Sequence, residues 1–92
     1  MNSLKFEAKA ERLSFDSESM KVHLVDGRTL VVPLAYFPRL AAASLLKRKK
    51  YLISGGGAGL HWDELDEDIS VSFLLEGYVD KTSKKLHSKL AS

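Results

Sequence analysis

The dipeptide Asp26-Gly27, set between "MKVHLV" at residues 20–25 and "RTLVVPL" at 28–34, constrains this chain more than any other feature. Asp-Gly between two runs of strand-forming residues is a strong short-range signal for a β-hairpin. The length of the loop decides which side chains share a face. A two-residue loop would set Leu24 opposite Thr29 and His23 opposite Leu30, mixing polar and apolar groups on both faces. A three-residue loop over 25–27, with Gly27 left-handed in a bulge, pairs Leu24 with Arg28, Val22 with Leu30 and Met20 with Val32. Met20, Val22, Leu24, Leu30 and Val32 then gather on one face, and Lys21, His23, Thr29 and Val31 on the other. A single-layer sheet needs one apolar face, so the bulged loop is expected.

The rest of the chain adds short elements to this hairpin. "RLSF" at 12–15 alternates polar and apolar residues as a half-buried strand does, and "DSES" connects it to the hairpin as a turn. Pro33 cannot donate to a ladder and ends the third strand. Pro38 forbids one continuous helix from Leu34, which leaves a turn over 34–37 and a helix that Pro38 opens. Ser44 can cap a second helical piece over 45–50. "YLI" at 51–53 and "GLHW" at 59–62 are short strands around the glycines. In "SVSFLLEG" Ser70 can cap a last helix, whose apolar face is Val71, Leu74, Leu75 and Tyr78, with Gly77 at its stop. The expected fold class is α+β: a small antiparallel sheet, a three-stranded meander plus short strands, with two or three short helices packed on one face. One domain over 8–78 is expected, with flexible termini at 1–7 and 79–92, the latter basic.

The chain has no cysteine, which removes disulfides, zinc–thiolate sites and a thiolate nucleophile. Glu7 and Glu11 interrupt the N-terminal stretch where a signal peptide needs an apolar run. "LVVPLAYF" falls far short of the roughly 20 apolar residues of a spanning helix. A cytoplasmic protein with no membrane partner is expected.

The stretch "ISGGGAGLHWDELDEDIS" at 53–70 has the look of a site: four glycines, a histidine, the single tryptophan and five carboxylates. A phosphate cradle needs glycines that run into a helix N-terminus. Here the glycines run into a strand and then into acids that repel phosphate. A calcium loop needs oxygen ligands at its third and fifth positions and glycine at its sixth. Counting from Asp63, the third is Leu65 and the sixth is Asp68. His61 and Asp63 point the same way on a strand and could form a base, yet no nucleophile or second histidine accompanies them. A structural account covers more: the glycines allow positive φ in a wide turn, and the acids favour the N-terminal end of the last helix. No catalytic, cofactor-binding or metal-ligating residue is expected.

Net charge is only +2, but it is segregated: "KRKK" at 47–50 and the tail are basic, whereas 63–68 is acidic. The basic run can be a solvated face, meet an acidic protein, or meet nucleic acid weakly and in a salt-dependent way. No groove-reading motif accompanies it.

"VDGRTLVVPLAYFPRL" followed by "YLISGGGAGLHWDELDEDISVSFLLEG" resembles the bacterial domain-of-unknown-function family numbered twenty-four forty-two, over about residues 8–77. The motifs that carry the resemblance fall on Asp26, Gly27, Pro33, Phe37, Pro38, the three consecutive glycines, His61, Trp62 and 66–70. Tyr36 stands where the family commonly has tryptophan, and "SLLKRKK" replaces a helix of more mixed charge. The resemblance implies an antiparallel sheet with packed helices, no known enzymatic activity, and a place beside a toxin-like partner encoded nearby. The expected function is therefore a small non-catalytic protein-binding module, antitoxin-like or another small inhibitor or adaptor, and not an enzyme. The alternative is a nucleic-acid-associated accessory protein that uses the patch Lys47, Arg48, Lys49 and Lys50 together with the basic tail. The candidate interaction surface comprises Tyr36, Arg39, Lys47, Arg48, Lys49 and Lys50, together with His61, Trp62, Asp63, Asp66, Glu67 and Asp68.

Overall fold

A computed structural model describes residues 8–77. The expected flexible termini, the basic tail and Tyr78 lie outside them. Strands β1 (Ala10–Phe15), β2 (Ser19–Leu24) and β3 (Thr29–Pro33) form an antiparallel meander in the order β1-β2-β3. The hairpin register is the one the apolar pattern demands, with Met20 opposite Val32 and Val22 opposite Leu30. Gly27 has φ 97°, and its amide donates to the Leu24 carbonyl at 3.1 Å. Asp26 tightens the loop by accepting from the Arg28 amide at 3.0 Å. At the β1–β2 turn Asp16 accepts from the Glu18 and Ser19 amides at 2.9 and 2.7 Å, which holds its carboxyl below the usual carboxylate range. β1 starts at Ala10, earlier than the alternation at 12–15 indicates, because a bulge between Ala10 and Arg12 lets the pairing continue past the break in pattern.

Beyond β3 a short turn spans Leu34–Tyr36, followed by helices α1 (Pro38–Ala42) and α2 (Leu45–Arg48). Pro38 opens α1 as a first helical residue, and the Ser44 hydroxyl caps α2 by accepting from the Lys47 amide at 3.2 Å. A second antiparallel sheet, β4 (Leu52–Ser54), β5 (Gly59–Trp62) and β6 (Glu67–Ser70), has the order β4-β5-β6, and α3 (Val71–Leu75) follows. Three expectations are corrected here. Residues 67–70 are a strand rather than an acidic approach to a helix: Glu67 and Ile69 point inward and Asp68 outward, the period-2 pattern of a pleat. Ser70 makes no capping bond; its hydroxyl meets that of Ser72 at 3.0 Å. Val71 and Leu74 of α3 are buried while Leu75 is 38% exposed, so the helical apolar face is narrower than the sequence pattern indicates.

The core runs through both sheets, with Trp62, Met20, Leu40, Leu60, Val22 and Val71 fully buried. Burying each aliphatic side chain of this set contributes on the order of 1.5–3 kcal/mol. The sheets also touch through Tyr51, whose hydroxyl accepts from the Leu13 amide at 3.1 Å and whose ring lies 6.4 Å from that of Phe15.

Candidate functional site

The glycine stretch is a tight turn between β4 and β5 that packs against β1. Gly55, Gly56 and Gly57 have φ of 59°, 66° and 111°, which side chains rarely adopt. At Gly57 a β-carbon would lie 2.9 Å from the Ala10 carbonyl oxygen, so the missing side chain lets two backbones meet. The Ala58 carbonyl, one residue on, accepts from the Val71 amide at 2.9 Å. The turn is thus tied to the start of α3 by backbone groups, not by the acids.

The acids do other work. His61 sits directly opposite Asp68 across β5 and β6, with its Nδ1 2.6 Å from Asp68 Oδ1 and its Nε2 2.6 Å from Asp63 Oδ1. Hydrogen bonds to Asp68 and then Asp63 raise the His61 pKa above the usual imidazole range. An imidazolium donates to both carboxylates, and a ring so engaged has no free lone pair to take a proton from a substrate. Asp66 has φ 53° in the turn between β5 and β6, and Glu64 approaches Lys50 Nζ at 3.4 Å. Among the described residues no group of three or more histidine, aspartate and glutamate side chains is arranged to hold a metal ion.

Two candidate surface residues are not on the surface. Trp62 is 1% exposed and donates its ring N–H to the Arg48 carbonyl at 2.9 Å, because the inward face of β5 carries Leu60 and Trp62 together. Glu67 is 4% exposed and accepts from Arg39 Nε at 3.0 Å, so its charge is balanced by a residue 28 positions earlier in the chain. Arg48 is committed to structure as well, donating from Nε and Nη2 to the carbonyls of Leu40 and Ala41 at 2.9 and 3.1 Å. Those are C-terminal carbonyls of α1, which suit a cation. Tyr36, Lys47, Lys49, Lys50, Asp63, Asp66 and Asp68 are exposed, and Arg39 keeps 53% of its side chain exposed.

The sequence reading passed over Leu45 and Leu46. They are 48% and 69% exposed on α2, beside Lys47, Lys49 and Lys50. They open a four-residue helix none of whose residues is buried, and no local spacing signals that.

A meander and a second three-stranded sheet, joined by a pair of short helices, define a small α+β domain of a kind already seen in solved bacterial structures. A protein of unknown function from Rhodospirillum rubrum is 31% identical, with a TM-score of 0.73 over 85% of this chain and 96% of that one. An uncharacterised protein from Chromobacterium violaceum, solved by solution NMR, shares the fold at 23% identity and a TM-score of 0.72, over 91% of this chain and 79% of that one. The chain belongs to the family described as "Protein of unknown function (DUF2442)", whose family model matches residues 10–80. No curated protein matches this chain. No helix among the described residues is long and apolar enough to cross a membrane.

Proposed function

We propose that this chain is a small, non-catalytic protein-binding module of the cytoplasm whose contact surface is centred on α2. The observation that carries this reading is Leu46, 69% exposed beside half-exposed Leu45 and ringed in sequence by Lys47, Lys49 and Lys50. An apolar centre with a charged rim is the composition of a protein interface. The commitment of His61 to two carboxylates supports a role without catalysis. An antitoxin-like inhibitor or adaptor, acting on a toxin-like protein encoded nearby, is the form of this role that the family resemblance implies.

Nucleic acid is the second reading, favoured by the same lysines. Phosphate binding needs cations but gains little from two exposed leucines. Capture from nuclease-treated lysate of the native host separates the two. The proposal expects the tagged chain to retain a defined protein in stoichiometric amount. Retention that nuclease abolishes, with sub-micromolar affinity for nucleic acid at physiological salt, would establish the second reading instead.

A further inference from the structure

An open groove runs beside α1 and α2, bounded on its far side by the turn that joins β5 to β6. Its polar lining includes Arg39, Ser44 and Lys47, and its apolar lining Ala42, Ala43 and Leu65. Arg39 is held in a way that prepares it for a ligand. Its Nε is tethered at 3.0 Å to Glu67, whose side chain is 5% exposed, while the Arg39 side chain is 53% exposed. The terminal guanidinium nitrogens make no hydrogen bond among the described residues. A tethered guanidinium loses less side-chain freedom on binding than a free one, and its planar fork matches a carboxylate. Lys47 adds a positive charge with no ion-pair partner among the described residues, whereas Glu64 in the same lining is matched by Lys50 at 3.4 Å.

Resting on the protein-binding reading, we infer that this groove receives an acidic side chain from an extended segment of the partner protein. The carboxylate meets Arg39 and Lys47, and an adjoining apolar side chain of the segment covers Ala42, Ala43 and Leu65. The charge of the groove and its apolar lining select such a segment together. A nucleic-acid backbone would bring a phosphate at every step towards Glu64 in the lining, which a single carboxylate avoids.

The full chain, followed by amide and arginine side-chain NMR at physiological salt, is titrated to millimolar concentration with three probes. These are a blocked peptide alternating leucine and glutamate, the same peptide with glutamine for glutamate, and a short oligothymidylate. The leucine–glutamate peptide is expected to shift Ala42, Ala43, Lys47, Leu65 and the Arg39 Nε–H, and the glutamine peptide is not. Lys47→Glu, exposed and outside the core, should weaken binding about threefold or more, and Arg39→Lys, which keeps the charge but loses the fork, about tenfold. Absence of shifts, equal binding by the glutamine peptide, or oligothymidylate occupying the groove would each overturn the inference. Should the peptide fail while a host protein is still retained through Leu46, the groove assignment alone falls and the protein-binding reading stands.

Discussion

His61 and Asp68 face each other across β5 and β6 and are joined at 2.6 Å, while Asp63 closes on the other ring nitrogen at the same distance. This three-residue clasp fixes the turn between the strands to the strands themselves. Because its hydrogen bonds raise the His61 pKa, the clasp makes stability depend on pH in a stated direction. The contribution is fully present below the unfolded-state value of about 6.5 and is lost as pH rises through the higher folded-state value. The melting midpoint of the wild type should therefore fall relative to that of His61→Gln as pH is raised from about 6 upward. A constant difference between the two proteins across that range would show that the ring is not held as an imidazolium.

Gly57 offers a second test. Alanine there would combine φ 111° with a β-carbon 2.9 Å from the Ala10 carbonyl oxygen, whereas at Gly56 it meets φ 66° with open space. Denaturant unfolding should show Gly56→Ala costing about 1 kcal/mol and Gly57→Ala about 2–4 kcal/mol, with unchanged m-values. Equal costs would remove the close approach as the reason for glycine at 57.

Arg39 and Glu67 should be coupled. Removing Arg39 takes one hydrogen-bond donor from a buried carboxylate, although the exposed arginine side limits the loss through solvent screening. A double-mutant cycle of Arg39→Ala and Glu67→Gln is expected to give a coupling of roughly 1–2 kcal/mol. Additive costs would mean that the pair contributes nothing beyond its separate packing.

These residues also mark where the sequence stopped being readable. The meander was legible in its register because Asp26-Gly27 and alternating apolar residues are local signals that agree with each other. The second sheet was only half legible. β5 showed as "GLHW", but β6 was hidden because its inward position 67 carries glutamate, which periodicity counts as solvent-facing. Its carboxylate accepts from Arg39, a long-range pairing that no local pattern encodes. Gly57 could be read as a turn residue, yet its contact with Ala10 joins residues distant in the chain. The candidate surface divided in the same way. Exposed lysines were visible as charge, while the burial of Trp62 required knowing that β5 faces the core, and the exposure of Leu45 and Leu46 required knowing that α2 buries no residue.

Trp62 reports on that core directly. Its ring N–H donates to the Arg48 carbonyl at 2.9 Å in a site 1% exposed, so its fluorescence should be blue-shifted in the folded protein and move red on unfolding. Trp62→Phe should cost on the order of 2–3 kcal/mol, from the lost hydrogen bond and the space left behind. A fluorescence maximum typical of water in the native state would contradict the packing of β5.

Residues 53–70 build the architecture and α2 carries the proposed contact surface, and one substitution separates these roles most directly. Leu46 is 69% exposed, so Leu46→Asp should leave the melting midpoint within about a degree or two of the wild type. Calorimetric titration of the host protein that the wild type retains should show affinity for Leu46→Asp reduced at least about tenfold, the loss expected at the centre of an interface. An unchanged affinity, with the midpoint also unchanged, would contradict the placement of the binding surface on α2.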